Sequence, residues 1–185
     1  MKRISLEQLI LAALCCDFGL VAKKLISPAA NIVTEFLHIP GGISTSFSLM
    51  FLVTGAALIK RRGCATLMAV IQSMLAFSFG MTGSMGALAP IAYILPGIMI
   101  DICLAISQKI YAGPTSGILG ASVSSSVCAC LAANILVFRL SGIVLLLYVF
   151  VSATSGSVCS LIAYTLVERL DPLIEKNICK ENISA

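Results

Sequence analysis

Two carboxylates lie within otherwise apolar stretches of this 185-residue chain, and they are its first candidates for chemistry. Asp17 interrupts the apolar run that begins at Leu6, and Asp101 follows the Pro96-Gly97 pair in a later run. An ionisable side chain inside an apolar segment is costly, and it marks either a functional site or a paired partner. For Asp17 both alternatives stay open: an ion pair with a nearby lysine, or a position in a shared cavity.

Asp101 has the more specific surroundings. Gly97 and Asp101 are one helical turn apart and therefore share a helix face. Pro96 can kink the helix and free a backbone carbonyl. A carboxylate beside a kink and a glycine gap suits a cationic or hydrogen-bonding ligand. The alternative is that Asp101 caps or pairs with a neighbouring helix.

Four further residues are candidate ligand contacts. Gln72 and Asn134 are polar side chains within apolar segments, and Asn134 and Tyr148 lie near the outer ends of their segments in the orientation given below. His38 is the only histidine and lies on the longest connection. A polar side chain in a membrane helix more often hydrogen-bonds to a neighbouring helix, so that alternative stands for Gln72, Asn134 and Tyr148.

Motifs for catalysis are missing from the sequence. It contains no Gly-x-Ser-x-Gly, no phosphate-binding Walker loop and no metal-spaced set of His, Cys and Asp. Its eight cysteines lie mostly in apolar runs without a Cys-x-x-Cys pair, which is typical of packing residues. We therefore expect neither an enzyme nor an ATPase, and no metal or other cofactor.

The composition shows what must position these residues. Hydrophobic residues make up 59% of the chain, charged residues 11%, and the mean hydropathy is +1.06. Soluble domains carry roughly 25% charged residues. So few charges cannot cover a surface that meets water, so we expect the chain to lie in a lipid bilayer. The net charge of +4 comes from residues flanking apolar segments and does not indicate nucleic acid binding.

Six apolar segments are long enough, or nearly so, to span a bilayer. We predict an all-α bundle of six transmembrane helices forming a single domain over 1–185. The predicted spans are 6–26, 44–60, 64–81, 87–109, 116–138 and 141–167. The first is interpreted as a retained helix, not a cleaved signal. Asp171-Pro172 is expected to end the last helix.

Small residues recur at spacings of three and four along the fifth and sixth segments. Examples are Gly117, Ser124 and Ser125 in the fifth, and Ser152 and Gly156 in the sixth. Such faces let helix backbones approach closely. We expect most of these faces to serve packing inside the bundle.

Basic residues favour one orientation. With the N-terminus inside, nine lysines and arginines lie on the cytoplasmic side, and only Lys23, Lys24 and Arg139 lie outside. The positive-inside rule therefore predicts an N-in, C-in topology. The outer face then carries a long connection over 27–43 and a small flexible loop near 80–87. Loops as long as the first often act as lids or binding segments.

Three stretches carry a resemblance to a known family. They are Ile39-Pro40-Gly41-Gly42, Arg62-Gly63-Cys64-Ala65-Thr66 and the run from Leu95 to Asp101. With the size and the six-helix layout, which cover nearly the whole chain, they resemble the S components of energy-coupling factor transporters. The likeness is greatest to S components of the hydroxymethylpyrimidine and thiamine-precursor kind, which often carry a Gly-x-x-x-acid pattern in the fourth helix.

The resemblance implies a role and partners. An S component sits in the cytoplasmic membrane of a prokaryote, captures a vitamin-like molecule from outside, and associates with a transmembrane coupling subunit and two ATPase subunits. Docking in the family uses an Ala-x-x-x-Ala pattern on the first helix. The nearest matches here are Ala12-x-x-x-Cys16 and Ala13-x-x-x-Asp17, so both depart from that pattern.

Two other functions stay open. A self-contained channel or secondary transporter would be supported by inverted halves, but no convincing repeat relates 1–86 to 87–185. A membrane scaffold protein would bind no ligand. If Asp101 lines the pocket, an acidic site without tryptophan favours a basic heterocycle over a carboxylated vitamin.

Overall fold

A computed structural model describes the backbone of residues 6–36, 43–59, 61, 63–80, 86, 88–109, 114–139 and 142–184. Within these ranges the chain is all-helical and contains no strand. The helices are α1 (Leu6–Phe36), α2 (Ile43–Ile59), α3 (Cys64–Ser78), α4 (Ala89–Lys109), α5 (Pro114–Ala133) and α6 (Ile143–Ser184). A π-helical turn, Asn134–Phe138, continues α5.

Three of these helices are long and apolar enough to cross a membrane. Their apolar parts are Ala89–Ser107, Ser116–Phe138 and Ile143–Pro172. Ser44–Ile59 and Cys64–Ser78 are equally apolar but shorter. Helices α2 to α5 begin and end within a few residues of the predicted segments, because apolar runs bounded by charged or glycine-rich turns define them.

The first and last helices are longer than predicted. α1 continues through Pro28 to Phe36, so most of the predicted 27–43 connection is helical. α6 continues through Pro172 to Ser184, and the prediction that Asp171-Pro172 ends it is wrong. A proline removes one backbone hydrogen bond, yet a helix continues where the residues on either side sustain it.

α2 is the central helix of the bundle. The other five surround it in the order α1, α3, α4, α5, α6, each packed against the next except across the α6–α1 gap. Most α2 side chains are buried, including Leu52 and Val53, which are completely inaccessible. The core therefore forms around the helix whose sequence is apolar on every side, as expected for a helix buried all round.

The contacts between helices define two ends of the bundle. Asp101 of α4 lies beside Thr66 of α3, so these neighbours are antiparallel. Cys16 of α1 lies beside Met68, so α1 and α3 are parallel. We call the end where α2 ends and α3 begins the Arg61 end. The opposite end, where α3 ends and α4 begins, is the Tyr93 end.

The surface of the bundle is apolar, unlike the surface of a soluble protein. Large apolar side chains point outward; Leu25 is 74% exposed and Leu146 is 71% exposed. Several polar side chains are buried within the apolar core, and Ser125 and Gln72 are at most 1% exposed. An apolar surface of this extent fits a lipid environment or another apolar partner and not water.

Candidate functional site

Asp101 caps the N-terminus of α3. Its Oδ2 accepts hydrogen bonds from the Thr66 backbone N–H at 2.8 Å and from Thr66 Oγ1 at 2.6 Å. Its Oδ1 accepts one from the Ala65 N–H at 3.3 Å. The residue before α3 is Gly63, which has φ 81° and no side chain to cap the helix. Asp101 thus does from α4 what an N-cap residue normally does locally.

Gly97 brings α4 against α3 at the same place. A Cβ at Gly97 would lie 2.5 Å from the Ala69 Cβ and 3.0 Å from the Ala65 carbonyl oxygen. Pro96 is buried as well. The face that carries Gly97 and Asp101 is therefore covered by α3. The capping alternative for Asp101 is the one that these contacts fit.

Gln72 joins three helices. Its Nε2 donates a hydrogen bond to Ser48 Oγ of α2 at 2.7 Å, and the pair lies against Gly19 of α1. A Cβ at Gly19 would lie 3.0 Å from the Gln72 amide nitrogen. The interhelical hydrogen bond expected as the alternative for Gln72 is therefore present.

Hydroxyl groups connect α5 to α6. Ser152 Oγ donates to the Ser126 carbonyl at 2.8 Å, and Ser122 Oγ donates to the Gly156 carbonyl at 3.1 Å. A Cβ at Gly156 would lie 2.8 Å from Ser126 Oγ. This contact confirms the close packing predicted from the small residues of these two segments.

Asn134 and Tyr148 lie at the Tyr93 end, where α5 ends and α6 begins. Asn134 starts the π-helical turn and is buried, and its carbonyl accepts the Arg139 N–H at 2.7 Å. Tyr148 is 2% exposed and shares a hydrogen bond with Cys130. Both side chains are therefore part of the helix packing at this end.

The predicted site residues thus fall into separate places. Asp101 lies about 18 Å along α4 from the first residue of that helix, which is at the Tyr93 end with Asn134 and Tyr148. Gln72 lies between these levels. His38 lies outside the described residues. This arrangement does not bring Asp101, Asn134 and Tyr148 into a single pocket.

Lys23 and Tyr93 form a polar contact that the sequence pattern did not single out. Lys23 Nζ donates a hydrogen bond to Tyr93 Oη at 2.6 Å and lies 4.5 Å from the ring centroid. Both side chains are half-buried. Lys23 looked like a residue flanking the first span, and nothing in the sequence pairs it with a residue 70 positions away.

The docking residues predicted on α1 face opposite ways. Ala12 and Cys16 are buried, at 3% and 0% exposure, and Cys16 Sγ donates to the Met68 carbonyl at 3.4 Å. Ala13 and Asp17 are exposed. Only the second of the two predicted patterns is open to a partner from the outside.

Metal binding finds no support in the described side chains, which include no group of three His, Cys, Asp or Glu residues placed to hold an ion. Comparison of the chain with protein-family models, with curated proteins and with solved structures gives no match.

Proposed function

We propose that this chain is a substrate-binding membrane subunit of an importer, of the S-component type, which captures a small vitamin-like molecule outside the cell for ATP-driven uptake by its partners. The observation that carries the proposal is an apolar outer surface around an interior that includes polar groups. Apolar side chains face outward, while hydroxyl, amide and half-buried charged groups lie between helices. Such an interior can hold a polar molecule away from lipid.

The orientation we propose is N-in and C-in with all six helices in the membrane. The Arg61 end then faces the cytoplasm, and the Tyr93 end faces outward. Lys23, Tyr93, Asn134 and Tyr148 share that outer end, where a substrate would arrive. Asp101 is at the inner end, so we place substrate contact at the Tyr93 end.

The partners we propose are a transmembrane coupling subunit and two ATPase subunits, because the sequence has no phosphate-binding loop of its own. On α1 the exposed residues Ile10, Ala13, Leu14 and Asp17 form an outward surface available to the coupling subunit. In this proposal Ala12 and Cys16 serve the internal packing of α1 instead of the docking surface.

Native mass spectrometry of the detergent-purified chain tests substrate capture. We expect a small molecule to remain bound, and a panel of vitamins and vitamin precursors to raise the unfolding temperature. A thiol-reactive dye suits the measurement because the chain has no tryptophan and several buried cysteines. Gly120→Ala is the control variant and should behave as the wild type in both measurements, since a Cβ there meets nothing within 4 Å. No bound molecule and no stabilising compound would contradict the proposal.

Two further results would point to a different kind of protein. Flux of a substrate through proteoliposomes that contain this chain alone would indicate a self-contained transporter. A monodisperse particle in buffer without detergent or lipid would show that the chain does not require a bilayer.

A further inference from the structure

The Lys23–Tyr93 contact places a positive charge between two helices that otherwise hardly meet. Lys23 belongs to α1 and Tyr93 to α4, and α3 packs between these helices. Cys16 lies beside Met68 and Gly19 beside Gln72, so the same register brings Lys23 level with the last turn of α3. The contact therefore lies at the Tyr93 end, just inside the end of the shortest helix.

No carboxylate among the described side chains balances this charge. Among the described side chains, Lys23 has contacts to Tyr93 only and no ion pair. The chain has eight acidic residues. Asp101 is engaged at the start of α3, and Asp17 is about 9 Å away along α1 and points to a different side.

The remaining acidic residues are too far along their helices. Glu7 and Glu35 lie about 24 and 18 Å from Lys23 along α1. Glu168 and the acidic residues after it lie about 20 Å or more along α6 beyond Ser155, which is hydrogen-bonded to Ser46 near the start of α2 at the Tyr93 end. Among the side chains that the structure describes, the half-buried ammonium thus has no counter-charge.

The pair also has hydrogen-bonding capacity to spare. An ammonium carries three N–H donors, and one of them is used on Tyr93 Oη. Because Tyr93 accepts that bond, its own hydroxyl proton is available for another acceptor. Two ammonium donors and one phenol donor side by side match the oxygens of a carboxylate or a phosphate group.

We infer that Lys23 and Tyr93 form a recognition site for an anionic group, a carboxylate or a phosphate, on the molecule that this protein binds. The inference rests on the proposed function, and it reverses the basic substrate expected when Asp101 was placed in the pocket. A lipid headgroup offers the same phosphate chemistry, so the experiment has to separate the two sources.

The experiment compares Lys23→Met with Lys24→Met. Lys24 is adjacent and exposed, so both variants lose one positive charge from the same turn. The soluble probes are inorganic phosphate and two matched pairs: nicotinate with nicotinamide, and pyridoxine 5′-phosphate with pyridoxine. The readouts are the unfolding temperature with each probe and native mass spectrometry of the protein as purified.

We expect at least one anionic probe to stabilise the wild type and Lys24→Met more than its neutral counterpart does. Lys23→Met should bind it at least about tenfold more weakly. Lys23→Arg, which keeps the charge, should recover part of the affinity, and Tyr93→Phe should have a smaller effect than Lys23→Met. An unchanged unfolding temperature of Lys23→Met without probe shows that the variant is folded; if it is lower, Lys23→Arg carries the comparison.

The results separate this inference from the proposed function. A neutral or cationic molecule retained equally by the wild type and Lys23→Met would overturn the inference and leave the function standing. Phosphate stabilisation through Lys23 without any retained organic molecule would support the anion site and count against the function. If no anionic probe depends on Lys23, the inference is wrong.

Lipid is tested in nanodiscs of phosphatidylcholine with and without phosphatidylglycerol. Stabilisation by phosphatidylglycerol that disappears in Lys23→Met, with no response to the soluble probes, assigns the site to a lipid headgroup. That outcome overturns the substrate assignment.

Discussion

The contact between α3 and α4 and the contact between α5 and α6 are both built from a glycine and a polar residue four positions apart. The two contacts use this pair in different ways. On α4 a glycine and a polar residue four positions on, Gly97 and Asp101, face α3. On α6 a polar residue and a glycine four positions on, Ser152 and Gly156, face α5. We call these the charged seam and the hydroxyl seam.

The difference lies in how each seam distributes its interactions. In the charged seam one carboxylate accepts three hydrogen bonds and closes the start of a helix. In the hydroxyl seam separate serines each bond to a carbonyl of the facing helix. A single side chain therefore carries most of the polar contact in one seam, whereas the other shares it among several neutral groups. Substitutions should expose that difference.

The largest effect is expected from Gly97→Ala. Its new methyl group would lie 2.5 Å from the Ala69 Cβ, and a Cβ cannot rotate away. Overpacking of this kind costs about 1–3 kcal/mol. The measurement is the free energy of unfolding in SDS, with Gly120→Ala as the control, since open space and better helix propensity should leave it neutral or slightly stabilised. Recovery on adding Ala69→Gly would sharpen the assignment, and equal stabilities of the two single variants would contradict it.

The next largest loss of unfolding free energy is expected from Asp101→Ala. It removes the acceptor for the Ala65 and Thr66 N–H groups, and loss of a helix cap costs about 0.5–2 kcal/mol. Asp17→Ala is the matched control, because that carboxylate is exposed. Asp101→Asn separates the two roles considered for this residue: a lower unfolding free energy with unchanged substrate affinity fits the cap, and a lower affinity at unchanged stability fits the ligand contact.

Gly156→Ala should cost less than Gly97→Ala, about 1 kcal/mol at the lower end of the overpacking range. The atom nearest to the new methyl is Ser126 Oγ at 2.8 Å, the end of a side chain that can rotate. SDS unfolding of both variants side by side gives the comparison. If Gly156→Ala proves the more damaging, the hydroxyl seam is the more rigid of the two.

The smallest effect is expected from Ser152→Ala. It deletes one hydrogen bond to the Ser126 carbonyl, and interhelical hydrogen bonds in membrane proteins average about 0.6 kcal/mol. Adding Ser122→Ala should raise the loss further, because Ser122 bonds to a different carbonyl. A loss as large as that of Asp101→Ala from Ser152→Ala alone would remove the distinction between the seams.

Local pattern predicted much of the fold and part of the site. Helices α2 to α5 follow from apolar runs, and the use of the small-residue faces of α5 and α6 for internal packing follows from their spacing. That these two faces meet each other was not predicted. The lengths of α1 and α6 did not follow. Residues 27–43 were predicted as a connection and Asp171-Pro172 as the end of the last helix, although a proline inside a helix removes only one hydrogen bond.

The site residues show where local pattern stops. Gly97 and Asp101 were recognised as sharing a face, since four residues make about one helical turn. Whether that face contacts a ligand or α3 depends on where α3, which begins at Cys64, packs. The spacing of residues within α4 cannot show that. The absence of a capping side chain at Gly63 was visible, but the residue that replaces it is 38 positions later.

By itself the sequence determined the apolar character of the helices, the helical class and the kinds of side chain available, because these follow from composition and from period along one helix. Only the tertiary structure decided which polar groups satisfy one another. It engaged Asp101 with α3, turned Ala12 and Cys16 inward, and brought Lys23 to Tyr93. The physical reason is that a buried polar group is satisfied by whatever donor or acceptor the packing of helices brings within about 3 Å, and that neighbour is usually distant in the chain.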